Sequence, residues 1–250
     1  MILVFGGTSE THLLCDFLEK KNRDFLVSVA TEYGRNTFEK YGSRLQASRL
    51  GKEEIVALIR GKGIRKVVDL THPYAANISQ NAIAAAQEAS VPYLRYERKS
   101  LLEEDPILYE AASHEEALSL AESLGKRPFL AVGSNFAGVY IRSEKFEKAY
   151  IRVLPKSEII KKCEELGYDY SCIIAMQGPF GKELNKQMLL LAKADMMVTK
   201  ESGNAGGFME KYQACKELHI PLIVVERPKI DYPAVRDDLE EVKNWLMEEE

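Results

Sequence analysis

The chain's first candidate for chemistry is Gly6-Gly7-Thr8-Ser9-Glu10, set between the apolar run Ile2 to Phe5 and a segment carrying Leu13, Leu14, Phe17 and Leu18 at helical spacing. A glycine turn between a buried strand and a helix offers backbone N–H groups and a helix N-terminus to an anion such as a pyrophosphate. A side chain there would block close approach. The third glycine of the full dinucleotide fingerprint is missing, so the competing reading is a tight strand-to-helix turn capped by Ser9. The second strand ends near Ala30-Thr31, where such domains place the residue that meets the ribose. No acid closes that strand, and Arg35 follows closely, which favours a 2′-phosphate; Glu32 turned inward would instead suit a free ribose hydroxyl.

A second group, Thr71-His72-Pro73-Tyr74, follows the run Val67 to Leu70, at the kind of strand end where open α/β sheets bind ligands. Proline fixes the turn and favours a helix starting near it. His72 titrates near neutrality and could donate a hydrogen bond to a cofactor or a proton to a substrate; its structural alternative is to cap the helix. The four cysteines, at 15, 163, 172 and 215, form no Cys-x-x-Cys pair, and no histidine cluster stands at metal-ligand spacing, so buried free thiols and no metal are expected.

These groups need a scaffold of alternating strands and helices. Apolar or β-branched runs at Ile2 to Phe5, Phe25 to Ala30, Lys66 to Leu70 and Pro92 to Tyr96 alternate with helical segments near Lys52 to Arg60 and Tyr74 to Ala89. After Lys99 comes an acidic, irregular stretch, Leu101 to Pro106, and the alternation then resumes. Strands are expected near Pro128 to Val132, Ala149 to Leu154, Cys172 to Ala175, Asp195 to Thr199 and Pro221 to Glu226. Helices fit at Ser113 to Leu124, Ser157 to Leu166, Lys182 to Leu191 and Gly207 to Leu218. The pattern implies an α/β protein of two Rossmann-like domains, residues 1–100 and 101–250, with mainly parallel sheets and a ligand cleft between them. A final acidic helix, about Asp237 to Glu249, is assigned to the second domain, packing Leu239, Val242 and Leu246 against it.

A chain of 250 residues, 46% hydrophobic, can bury such cores without disulfides. Its formal net charge of −4 gives no global attraction to nucleic acid or anionic membranes. No stretch approaches membrane-spanning length, and the opening apolar run is only as long as a strand, so a cytoplasmic location is expected.

Further segments sharpen the reading. They are Ala175-Met176-Gln177-Gly178-Pro179-Phe180, followed by Glu183 and Asn185; Val198-Thr199-Lys200-Glu201-Ser202-Gly203, followed by Gly206-Gly207 and Lys211; and Val225-Glu226-Arg227-Pro228. With the first glycine turn, Thr71-His72-Pro73 and Pro92 to Arg98, they resemble the precorrin-6A and cobalt-precorrin-6A reductases in order and spacing over nearly the whole chain. The resemblance implies reduction of one double bond of a ring-contracted tetrapyrrole by hydride from NADPH or NADH, in the pathway to cobalamin. It implies cofactor contacts from Gly6, Gly7, Thr8, Ser9, Glu10, Thr31, Thr71, His72, Pro73 and Tyr74, with Gln177 and Gly178 from the far domain. The corrinoid substrate carries carboxylates, for which Arg95, Arg98, Lys200, Ser202, Gly203, Gly206, Gly207, Lys211 and Arg227 are the candidates. His72 and Lys200 are the candidate proton donors, alongside water. Taken singly, each arginine could equally form an internal or surface ion pair.

The chain departs from the family pattern at Thr11-His12, where Gly-Arg is usual, at Glu201 for aspartate and at Lys99 for proline. Two rival functions stand beside this one. Tyr212 and Lys216 satisfy the Tyr-x-x-x-Lys pattern of short-chain dehydrogenases, a match expected about once by chance in a chain with this composition. A Rossmann-like fold could also serve a non-catalytic nucleotide-binding regulator.

Overall fold

The run Ile2–Phe5 forms strand β1, and every residue of it is buried, as befits a parallel strand covered on both faces. In this computed structural model, which describes residues 1–98, 105–201 and 207–248, β1 is the central strand of the first of two units. It pairs in parallel with β2 (Phe25–Val29) on one side and β4 (Lys66–Asp69) on the other. The three-residue β3 (Leu45–Ala47) extends the sheet beyond β2, and β5 (Tyr93–Tyr96) extends it beyond β4. Helices α1 (Ser9–Lys20), α2 (Glu32–Phe38), α3 (Lys52–Lys62) and α4 (Ala76–Glu88) make the crossings.

The sixth strand comes from the far end of the chain. Residues Pro228–Glu250 belong to the first unit, where the two-residue β12 (Val235–Arg236) pairs with β5 and helix α10 (Leu239–Met247) buries Val242 and Leu246 beside Leu14, Leu18 and Phe25. The division at 101–250 is therefore corrected: the second unit is Ser100–Arg227. The driving force is apolar burial, about 1.5–3 kcal/mol per large side chain, together with two bonds from the Lys66 ammonium to the carbonyls of Trp245 and Glu248 at 2.7 and 2.9 Å.

The second unit has its own six-stranded parallel sheet, in the order β6 (Leu108–Ala111), β11 (Leu222–Val225), β10 (Met196–Lys200), β7 (Pro128–Ala131), β8 (Tyr150–Val153), β9 (Ile173–Ala175). One face carries α5 (His114–Leu124), α6 (Ala137–Tyr140) and α7 (Ser157–Glu165). The other carries α8 (Lys182–Ala192) and α9 (Phe208–Leu218).

Both sheets follow one plan. Counting from the central strand, the first unit reads 3-2-1-4-5 and then β12; the second reads the same, with β7 as its first strand and β6 at the far edge. Each edge strand comes from outside the local run of crossings, after it in the first unit and before it in the second. The α/β class with parallel sheets thus agrees with the sequence pattern. Among the described residues no helix is long and apolar enough to cross a membrane, and no group of histidine, cysteine or acidic side chains is placed to hold a metal.

Candidate functional site

In the first unit the chain proceeds from β1 outward through β2 and β3, then returns to the other side of β1 at β4. That reversal opens a crevice at the carboxyl ends of β1 and β4, the place where doubly wound sheets take ligands. The two sequence groups singled out first, Gly6 to Glu10 and Thr71 to Tyr74, follow directly from these two strands.

Gly7 lies at φ +131°, a region that side-chain-bearing residues avoid, and a methyl built on it would point into open space. Gly6 is required for a different reason: a methyl there would stand 2.3 Å from Thr11 Cγ2. Thr11 is fully buried, and its Oγ1 accepts from the amides of Gly7 and Thr8, both at 3.3 Å. Thr8, the N-cap, donates its hydroxyl to the Leu70 carbonyl at 3.0 Å and so ties the glycine turn to the end of β4. Thr8 and Thr11 thus organise the start of α1, whereas Ser9 bonds only outward, to Glu10 at 3.0 Å. Thr11 thus takes up two backbone amides of the glycine turn.

The second strand end rests on Asp69, a residue that the sequence reading did not single out. Its carboxylate is fully buried and accepts from the Thr71 amide (2.8 Å), the Thr71 hydroxyl (2.6 Å), Ser79 (2.6 Å), Tyr93 (2.8 Å) and Arg95 Nη1 (2.8 Å). Burial and the neighbouring carboxylate push the Tyr93 phenol far up, so it stays a neutral donor. This cluster fixes Thr71 and hence the loop beyond it. His72 is exposed and its Nδ1 accepts from the Tyr74 amide at 3.3 Å, so the neutral ring carries its proton on Nε2. Pro73 is buried, and α4 begins three residues later at Ala76.

Arg95 does not serve as the expected cleft cation. It is 1% exposed, bonded to Asp69, Thr71 and Glu97, with its guanidinium 5.3 Å from the Tyr232 ring. A guanidinium so enclosed braces the strand ends. Arg98 pairs with Glu10 at the start of α1. Burial alone would raise the Glu10 carboxyl, but the Arg98 bond and charge outweigh it and hold the group below its ordinary range. Thr31 sits exposed past β2 as the N-cap of α2, its hydroxyl accepting from the Gly34 amide at 3.0 Å.

In the second unit the equivalent reversal lies between β7 and β10, near Gly133 (φ +81°) and Lys200. Lys200 reaches over the Phe136 ring (5.9 Å), and burial lowers its pKa. His114, missed in the sequence, stacks against the same Phe136 ring at 3.7 Å and bonds Tyr140 through Nδ1 at 2.8 Å. Burial, then the charge of Lys200, brings its pKa down to about 4. Lys211, in the first turn of α9, is 6% exposed and donates to Thr199 Oγ1 at 3.1 Å. Arg227 lies 3.2 Å from Glu201, an internal pair. Gly207 adopts the left-handed conformation (φ +65°) that starts α9. Gln177 and Gly178 are exposed beyond the edge strand β9, two strands from the reversal, and Phe180 folds back so closely that a methyl on Gly178 would meet its ring at 2.9 Å. Ser202, Gly203 and Gly206 lie outside the described residues.

The Tyr212 and Lys216 pair does form a contact, 3.0 Å, but both groups converge on Asp105, just ahead of β6. That is the amino edge of the sheet, opposite the ends where ligands bind, which removes the support for a short-chain dehydrogenase site.

The family model described as precorrin-6x reductase CbiJ/CobK matches residues 1–247. The chain belongs to this family. It is 34% identical to a cobalt-precorrin-6A reductase of Priestia megaterium over 99% of this chain and 98% of that one. It is 37% identical to the cobalt-precorrin-6A reductase of Salmonella typhimurium over 91% and 87% of the two chains. A precorrin-6A reductase of Rhodobacter capsulatus is 26% identical over 98% and 95%. Among solved structures, a CobK precorrin-6A reductase superposes with a TM-score of 0.79 at 24% identity, covering 98% of this chain and 95% of that one, which supports the two-unit fold. Family membership agrees with the motif order that ran from the first glycine turn to Val225-Glu226-Arg227.

Proposed function

We propose that the chain reduces one double bond of cobalt-precorrin-6A with hydride from a reduced nicotinamide, NADPH in preference to NADH. The observation that carries this reading is the family match over essentially the whole chain. The cobalt form is favoured because four relatives named for it stand at 34–37% identity and two more at 28% and 26%, while those named for the metal-free substrate stand at 26% and 29%.

Several features of the first unit's crevice support a dinucleotide site. Gly7 leaves open space, α1 points its N-terminus there, and Thr8 and Thr71 present hydroxyl-bearing walls fixed by Leu70 and Asp69. Thr31, with Arg35 in the last turn of the short helix α2 and no acid closing β2, suits a 2′-phosphate. The bound nicotinamide would supply the hydride. The chain's own contribution is alignment, exclusion of water and a proton for the neighbouring carbon. His72 offers an Nε2–H; Lys200, its pKa lowered by burial, yields a proton more readily than a solvated lysine. A cytoplasmic site of action accords with this reading.

The test is an anaerobic assay of nicotinamide oxidation with cobalt-loaded and metal-free precorrin-6A, each with NADPH and NADH. Fastest turnover is expected for the cobalt form with NADPH. No oxidation in any of the four combinations refutes the reductase reading, and nucleotide binding without turnover would favour a non-catalytic regulator.

A further inference from the structure

The amino edge of the first sheet, opposite the crevice, holds a cavity of about 760 Å³. It opens where three neighbouring parallel strands begin, at Ile2, Asp24 and Lys66, and the end of α10 closes one side of it. Such a volume falls in the range of small-molecule sites. Four basic residues, Arg23, Lys62, Arg65 and Lys66, line it against two acidic ones, Asp24 and Glu248. The local sign is therefore opposite to that of the whole chain, whose formal charge is −4.

Neighbouring acids do not use up these cations. Among the described residues no carboxylate lies within ion-pair distance of any of the four, and Lys62 and Arg65 make no side-chain hydrogen bond. Arg23 makes one long bond, from Nη2 to the Met247 carbonyl at 3.4 Å. Lys66 is 9% exposed; its ammonium gives two N–H groups to the Trp245 and Glu248 carbonyls and lies 5.0 Å from the Trp245 ring, which leaves one donor over. The dipole of α3 accounts for Lys62 in its last turn. It does not account for Arg65 and Lys66, which follow the left-handed cap at Gly63, and a buried ammonium is costly without an anion.

We propose that this cavity is an anion-binding site, separate from the cofactor crevice, for a small molecule that carries more than one phosphate or carboxylate group. Two guanidinium forks receive the oxyanions, and the lysines add charge. Because the end of α10 forms one wall, a bound anion ties the returning C-terminal segment to the sheet and stabilises the first unit. The site does not depend on the reductase reading.

The test titrates the full chain, at low ionic strength, with pyrophosphate in one arm and citrate in the other. Trp245, the single tryptophan, lies beside Lys66, so its fluorescence reports binding. At least one anion should saturate the wild-type signal and raise the Tm of the first unit by roughly 5 °C at 100-fold excess over Kd. The tighter of the two identifies the oxyanion class. R23Q/R65Q, at two exposed positions, should bind it about 10- to 100-fold more weakly. If that variant does not fold, R23K/R65K carries the test: it keeps the charge, loses the forks and should bind at least about five-fold more weakly. R142Q/K161Q removes two exposed charges of the second unit and should bind like wild type. Absence of binding by both anions overturns the site. Binding that survives R23Q/R65Q also overturns it and places the anion elsewhere, the start of α1 included. An equal loss in R142Q/K161Q overturns it as well, because net charge alone then explains the effect.

Discussion

Replacing Asp69 by asparagine should destabilise the first unit and loosen the proposed cofactor crevice together. The substitution preserves volume but removes the charge that faces Arg95, which is 1% exposed and would keep only Glu97 as an ionic partner. Breaking one side of a buried pair costs about 3–5 kcal/mol. The asparagine oxygen can still accept from Thr71, so the lower end, about 3 kcal/mol, is expected, with a Tm lower by roughly 6–12 °C. Trp245 is the chain's only tryptophan and lies in α10 of the first unit, so its fluorescence during denaturant unfolding reports that unit. Below the transition, NADPH affinity should also fall, because Asp69 anchors the Thr71 amide and hydroxyl. The double variant D69N/R95M removes the stranded cation and should be more stable than D69N alone. A D69N variant within about 1 kcal/mol of wild type, or a double variant that loses the sum of the two single losses, would refute the reasoning.

Other consequences are as specific. Gly7→Ala forces a side chain into φ +131° with no steric neighbour, so it should cost about 1–3 kcal/mol of conformational strain and weaken NADPH binding, both read by titration calorimetry and unfolding. Thr11→Gly should lower stability by about 1–2 kcal/mol yet tighten NADPH binding, because the amides of Gly7 and Thr8 are released. Lys211 has a folded pKa of about 7, below its ordinary value, so the unfolded chain binds more protons from about pH 7 to the ordinary lysine range. Its contribution to stability should rise with pH across that window, a trend that Lys211→Met abolishes in denaturant titrations. His72→Ala and Lys200→Met test the two candidate proton donors: loss of a residue that gives the proton lowers kcat at saturating substrate, while loss of one that does not changes affinity alone.

Much of this molecule can be read from its residues, and the unread part has a common physical cause. The runs Ile2 to Phe5, Phe25 to Ala30 and Lys66 to Leu70 announce themselves because strands buried on both faces need unbroken apolar sequence. The return of residues 228–250 to the first unit does not, because β12 is two exposed residues long and Val235 pairs with Arg95, some 140 positions earlier in the sequence. For the same reason Arg95 reads as a cleft cation. Its partner Asp69 stands directly opposite it in the β4–β5 register, a relation that exists only once the strands are paired. An acid closing one buried strand and an arginine inside the next would have been the signal. His114 carries no motif at all, and its place is visible only in the fold, where Phe136 stacks on it and Tyr140 bonds it.

The central claim is hydride transfer from a nicotinamide to a corrin precursor, and isotope transfer tests it most directly. Cobalt-precorrin-6A would be incubated anaerobically with the chain and NADPH bearing deuterium on the transferred face of nicotinamide C4. The product should contain one deuterium on a macrocycle carbon, with none incorporated from deuterated solvent at that position. A reduced product whose new C–H hydrogen at that carbon comes wholly from solvent would contradict the account.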